Sequence, residues 1–315
     1  MVSMPQNKIV EVAAAVLQRA DGAFLLAQRP AGKIWAGYWE FPGGKLEQSE
    51  SAHDALVREL REELGIAVRT AYPWLTRVFT YPHATVRLHF FRVTAWSGEL
   101  HPHEGQQFSW QLPAAVSVEP ILPANAPILR ALELPTLYAI SNASELGAEV
   151  FLTRLQAKLD AGLRLIQLRE KHLARAELKA LAQRVVSMSH NRGAKVLLNG
   201  DVALAQEVGA DGVQLTSSQL SGLSERPDVD WCAASCHNAG ELRRAEALGC
   251  DFALLSPVLP TQSHPGAPHL GWQNFVAITA GATIPVYALG GLMNDDTVAA
   301  WQCGAHGIAL LRQAW

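Results

Sequence analysis

The 315-residue sequence predicts an α/β protein in two domains: a mixed sheet flanked by helices over residues 1–134, then a closed parallel (β/α)8 barrel over residues 135–315. Three observations carry this expectation. The chain is longer than one average domain and long enough to bury two cores. Before residue 134, strand-like runs and turns surround one highly charged helix. After residue 136, eight apolar runs (137–140, 163–168, 195–198, 212–215, 231–235, 252–256, 284–289 and 307–311) alternate with helical stretches, the rhythm of a parallel sheet buried on both faces. The sequence stops at Trp315, directly after the eighth run, so the expected barrel lacks its last outer helix.

In the first domain, residues 9–18 read as a strand, Ala20-Asp21-Gly22 as a turn and residues 23–28 as the hairpin partner, with Arg29 at its end. Further strands are expected at 78–81, 85–95 and 108–111, with a turn at Ser97-Gly98 and a second helix at 127–132. The junction falls at 132–135, where Pro135 closes that helix.

The stretch 41–68 packs five glutamates and two arginines into a loop and helix opened by glycines. Residues 51–64 hold no Gly or Pro and favour helix. Ser51 and Asp54 have the spacing of a capping box variant, and Gly65 stands where a left-handed C′ residue is wanted. Glu59, Glu62 and Glu63 then share one face, next to an apolar stripe of Leu56, Leu60 and Leu64. Like charges so spaced cost about a few tenths of a kcal/mol each. A hard divalent cation such as Mg²⁺, which prefers oxygen ligands and substrate phosphates, would compensate them, and Arg58 braces Glu62 at i+4. Taken alone, the three glutamates also fit a solvated acidic face.

The formal charge of −3 and the lack of a long Lys/Arg run argue against sustained binding to a nucleic acid polymer. Cys232, Cys236, Cys250 and Cys303 show no paired metal-ligand spacing and are expected as free, buried thiols, which suits a reducing, cytoplasmic setting. Residues 1–8 are polar, Glu11 interrupts the next apolar run, and no stretch approaches the roughly 20 apolar residues of a membrane span.

Gly44, five residues, Glu50, seven residues, and then Arg58-Glu59-Leu60-Arg61-Glu62-Glu63-Leu64-Gly65-Ile66 resemble the Nudix box at every fixed position. Around it the likeness narrows to the MutT type: Arg29 in FLLAQRP, the approach Trp39-Glu40-Phe41-Pro42-Gly43-Gly44-Lys45, the loop Glu104-Gly105-Gln106 and the turn Pro123-Ala124-Asn125. The resemblance implies a Nudix α/β/α sandwich that hydrolyses 8-oxo-dGTP to the monophosphate and pyrophosphate by attack at the β-phosphorus. It implies Mg²⁺, or Mn²⁺ in its place, at Glu59, Glu62, Glu63 and Glu104 with Gly43. Glu59 or Glu104 would activate the water; Arg29, Lys45, Phe41 and Arg58 would contact substrate, and Asn125 would read the oxidised base. The alternative is a different nucleoside diphosphate derivative or a thiamine-related diphosphate.

In the second domain, polar residues gather at strand C-terminal ends, where such barrels do their chemistry: Gln167, Arg169 and Lys171, Asn199, Ser235 and His237, Thr261, Gly290 and Gly291. The motifs QLREK, GADGVQL, SCHN, SPVLPT and YALGG resemble the thiamine phosphate synthase and TenI superfamily of TIM barrels. Synthases carry metal-binding Asp residues at the positions of Gly200 and Gln219, and a Lys at that of His264. The likeness without those carboxylates implies no full synthase activity. Two readings stay open: a tautomerase with His237 as acid/base, or a module that binds a thiamine-related phosphate.

Overall fold

The computed structural model describes residues 9–261, 266 and 268–315, which form two compact units divided between Glu133 and Leu134. In the first unit the strands are β1 Val10–Leu17, β2 Phe24–Gln28, β3 Trp39–Glu40, β4 Gly43–Lys45, β5 Ala67–Tyr81, β6 Ala84–Ser97 and β7 Phe108–Gln111. They build a four-stranded mixed sheet in the order β4-β1-β6-β5 and a three-stranded sheet in the order β3-β2-β7.

The expected hairpin of β1 with β2 does not form. β1 is buried on both faces: Ala13, Ala15 and Leu17 pack towards helix α1 (Ala52–Leu64), while Ala14 and Val16 pack towards α2 (Ala126–Leu132). Such a strand takes a central place, and its two edges are filled by β4 (antiparallel) and β6 (parallel). Around the turn at Ala20–Gly22 the two runs meet through a Gln18–Phe24 bridge and the Arg19 N–H to Ala23 carbonyl bond (2.9 Å), and β2 continues into the other sheet between β3 and β7. β5 is also far longer than the expected 78–81. It is an edge strand that absorbs Pro73 and register shifts between Val68 and Thr76, which an edge tolerates.

Helix α1 is set by its own sequence. Ser51 Oγ accepts the Asp54 backbone N–H at 3.1 Å, and Gly65 at φ 70° returns its N–H to the Arg61 carbonyl at 3.1 Å. Leu56, Leu60 and Leu64 are fully buried, which turns the glutamate face the other way.

The second unit is a closed barrel of eight parallel strands: β8 Leu137–Ile140, β9 Leu165–Leu168, β10 Lys195–Asn199, β11 Gly212–Leu215, β12 Trp231–Cys236, β13 Phe252–Leu255, β14 Val286–Leu289 and β15 Gly307–Leu310. Tyr138, Trp231, Phe252 and Tyr287 belong to a core cluster drawn from these strands, and helices such as Arg175–His190 and Ala239–Leu248 supply the outer layer. After β15 the chain makes a 3-10 turn, Arg312–Ala314. Cys232, Cys236 and Cys250 are free and buried, whereas Cys303 is only partly covered. No helix among the described residues is long and apolar enough to cross a membrane.

Candidate functional site

In the first unit, α1 lies against β4, and two glycines make that approach feasible. A Cβ on Gly44 would stand 2.1 Å from the carboxyl carbon of Glu59, and one on Gly43, at φ 145°, would stand 2.1 Å from the Ala13 carbonyl oxygen. The Gly43 N–H donates to Glu63 Oε2 at 3.3 Å. Burial, and then the charges of Glu59 and Glu104, push the Glu63 carboxyl up to about 7, against the pull of that N–H. Glu59, Glu63 and Glu104 line one cavity of about 520 Å³ together with Arg29, Lys45 and Asn125.

Arg58 is a brace behind this cavity. Its guanidinium reaches Glu50 through two bonds of 2.9 Å, Glu59 at 2.9 Å, Glu62 at 3.3 Å and the Lys45 carbonyl at 3.0 Å. Arg58 and Glu62 face a separate surface concavity, and the Glu62 side chain is 61% exposed. Arg29 is likewise committed, to Glu40 at 2.5 Å and to the Ile34 carbonyl at 2.8 Å. Phe41 is buried edge-on against Phe90 and reaches the cavity wall.

Among the described residues no three His, Cys, Asp or Glu side chains are gathered closely enough to hold an ion. Each carboxylate is turned to a protein partner: Glu59 to Arg58, Glu63 to Gly43, Glu104 to Lys33. The donor set nevertheless fits a hard divalent cation, because it is all oxygen and because Glu59 and Glu104 raise the Glu63 pKa across a shared cavity. A cation would relieve that repulsion. Asn125 is 3% exposed, and its Nδ2 has no hydrogen-bond partner among the described residues. Glu40 of the approach to the box lines the cavity, as do Lys33, Trp35 and Tyr81, which no motif marks. Lys33 and Glu104 pair from 71 positions apart, a distance at which no local pattern signals them.

The barrel mouth joins its polar residues in pairs. Gln167 Nε2 donates to Asn199 Oδ1 at 3.2 Å, while its Oε1 is buried with no partner among the described residues. Tyr138 OH donates to Gln214 Oε1 at 3.2 Å, and Gln214 Nε2 donates to Ser235 Oγ at 3.1 Å. His237 Nδ1 lies 2.8 Å from the Ser256 carbonyl, which can only accept, so Nδ1 carries the hydrogen and, in the neutral ring, Nε2 carries the lone pair. Gly290 (φ 108°) and Gly291 (φ 69°) abut the Pro257–Pro260 segment, where a Cβ would come within 2.8 and 2.4 Å of backbone. Burial lowers the Arg169 pKa against the raising charge of Glu170, and Lys171 stands exposed. Glu170, within the QLREK motif, faces the loop after β8. It accepts from Ser141 Oγ (2.6 Å) and from the Ala143 and Ser144 backbone N–H groups (2.8 and 2.9 Å), so it anchors the loop after β8. Thr261 is the last residue described before 262–265, and His264 lies outside the described residues.

A family model described as thiamine monophosphate synthase matches residues 137–314, and one described as the Nudix domain matches residues 13–131. The chain belongs to both families. It is 37% identical over 180 residues to the "putative thiamine-phosphate synthase 2" of Aquifex aeolicus, an alignment covering 56% of this chain and 96% of that protein. It is 44% identical over 124 residues to the CTP pyrophosphohydrolase of Escherichia coli (39% of this chain, 91% of that protein). It is 37% identical over 126 residues to the 8-oxo-dGTP diphosphatase of Haemophilus influenzae (40% and 93%).

The Nudix unit thus sets its box glutamates on α1 and adds Glu104 from the loop before β7. Nudix hydrolases generally need a divalent metal, and this unit is a hydrolase acting on phosphoric anhydrides. In the synthase-family barrel the two positions that would carry metal-binding Asp residues meet each other. Gln219 Nε2 donates to the Gly200 carbonyl at 2.6 Å, and Gln219 Oε1 accepts from the Thr216 N–H at 3.1 Å. Neither offers a carboxylate, so the residues present do not fit Mg²⁺-pyrophosphate.

Proposed function

We propose that the Nudix unit is a Mg²⁺-dependent nucleoside triphosphate pyrophosphohydrolase acting on 8-oxo-dGTP, with 8-oxo-dGMP and pyrophosphate as products. The observation that carries this reading is Asn125. Its buried, unpaired amide nitrogen shares one cavity with Glu59, Glu63 and Glu104, so a base-reading group and a phosphate-cleaving group face the same space. Glu59, Glu63 and Glu104 would hold the metal, which when bound neutralises phosphate charge and makes a bound water more acidic. Glu59 or Glu104 takes the proton from the attacking water, and Arg58 fixes the Glu59 carboxylate at 2.9 Å. Lys45 and Lys33 add positive charge beside the phosphates, and Phe41 supports the wall.

The CTP pyrophosphohydrolase relative favours a second reading, a cytosine nucleotide in the same cavity. For the barrel, the Gly200–Gln219 contact favours a unit that binds a thiazole-type phosphate without metal, with Gly290, Gly291 and Ser235 as the anion site. His237, with its free Nε2, is the acid/base if turnover occurs. A pyrophosphate-release screen of the whole protein with Mg²⁺, against 8-oxo-dGTP, dGTP, CTP and thiamine diphosphate, tests the hydrolase. Release from 8-oxo-dGTP at the highest kcat/KM is expected; a higher value for CTP selects the second reading, and release only from thiamine diphosphate rejects both.

A further inference from the structure

Asn125 is not the only buried donor left unpaired in the Nudix cavity. The indole Nε1 of Trp35 is also fully buried and has no hydrogen-bond partner among the described residues, although Trp35 lines that cavity. Trp35 lies in the excursion between β2 and β3, which is closed by the Arg29 N–H to Tyr38 carbonyl (2.8 Å) and Tyr38 N–H to Trp35 carbonyl (3.1 Å) bonds. Its backbone sits at φ 64°, a left-handed conformation that a bulky residue rarely adopts.

The ring is gripped from two sides. Tyr38 meets it edge-on with centroids 4.9 Å apart, and Tyr81 packs against it at 5.9 Å. Tyr81 and Ala124, the residue before Asn125, line the same cavity. Trp35, its ring partner Tyr81 and the turn that carries Asn125 thus border one cavity. Two buried, unpaired donors on residues that line one cavity are left for a ligand to satisfy, because an unmet buried donor is costly.

We infer that Trp35 is a specificity-determining residue and that its indole N–H, with the Asn125 carboxamide, forms a three-point reader of a purine oxidised at C8. This rests on the hydrolase reading of the cavity. An 8-oxoguanine edge runs O6 acceptor, N7–H donor, O8 acceptor. Asn125 Nδ2 donates to O6, Asn125 Oδ1 accepts N7–H, and Trp35 Nε1–H donates to O8. Unoxidised guanine offers an acceptor at N7 and a C–H at position 8, so it loses two of the three contacts. A site built to hydrogen-bond a group discriminates strongly against an analogue that lacks it.

The test compares the full protein with its Trp35→Phe variant, which keeps the ring contacts to Tyr38 and Tyr81 but removes the N–H. Steady-state kcat/KM is measured for 8-oxo-dGTP, dGTP and CTP, and the binding of 8-oxo-dGMP and dGMP is measured by calorimetry. Trp35→Phe is expected to narrow the 8-oxo-dGTP over dGTP preference by about tenfold, through KM more than kcat, with the same narrowing in the binding ratio. An unchanged ratio in Trp35→Phe overturns the reader and leaves the hydrolase standing. A wild-type preference for CTP overturns it too. If no triphosphate is cleaved the hydrolase reading falls, and calorimetry alone decides: tighter binding of 8-oxo-dGMP than dGMP that Trp35→Phe abolishes supports the reader, and equal binding removes it.

Discussion

The Gln219 side chain donates to the Gly200 carbonyl at 2.6 Å, so the two positions that should bind a metal in a synthase-family barrel are occupied with each other. Gly200 is held at φ 74°, and a Cβ there would stand 3.2 Å from Gln219 Oε1, which makes the pair a small closed unit of backbone and amide.

That closure sets the first prediction. With Mg²⁺, thiazole phosphate and the pyrimidine diphosphate, the Glu59→Gln protein, in which hydrolysis of the diphosphate is suppressed, is expected to form no thiamine phosphate. Chromatographic detection of enzyme-dependent product would refute the argument from the missing carboxylates. Gly200→Asp alone should not restore the activity and should cost about 1 kcal/mol of stability, because the left-handed backbone opposes a side chain.

His237 offers a second prediction in the same unit. With Nδ1 donating to the Ser256 carbonyl, only Nε2 can exchange a proton with a ligand. His237→Ala should therefore abolish any thiazole isomerisation while thiazole phosphate still binds within about threefold in calorimetry, since the anion is held by glycine N–H groups. A large loss of affinity would make His237 a phosphate ligand instead.

Gly44 gives a third. Its backbone needs no left-handed conformation, yet a Cβ would overlap the Glu59 carboxylate. Gly44→Ala should keep the fold and reproduce most of the effect of Glu59→Gln, for which we expect at least about a hundredfold loss of turnover. Glu62→Gln should cost less than Glu59→Gln, given the exposure of Glu62 outside the cavity. Pyrophosphate release by the purified variants, each checked for an unchanged circular dichroism spectrum, decides both points; a fully active Gly44→Ala would mean that Glu59 can work from another position.

At the far end of α1, Gly65 at φ 70° closes the helix, and a Cβ would come 3.0 Å from His103 Nε2. Gly65→Ala should destabilise the Nudix unit by about 1 kcal/mol, seen as a lower midpoint in denaturant with an unchanged slope. No shift in midpoint would show that the cap contributes little here.

What could be read from the sequence was what short-range chemistry decides. The Ser51 cap, the Gly65 stop and the buried leucine stripe of α1 depend on neighbours a few residues away, and the eight barrel strands announce themselves by unbroken apolar runs. The box glutamates and the Asn125 turn were legible as motifs for the same reason. Tertiary structure decided the rest, because it turns on which distant groups meet. β2 left β1 once β4 and β6 had taken both edges of a strand buried on two faces. Arg29 was drawn to Glu40, and Arg58 became a brace instead of a lining residue, because buried or half-buried carboxylates recruit the nearest cation. Lys33 with Glu104, Gln219 with Gly200 and Trp35 with Tyr81 are separated by 71, 19 and 46 positions, and no periodicity links them. Residue types and local order were enough to recognise two families; only the folded chain shows which of their polar atoms are already satisfied and which are left for a ligand.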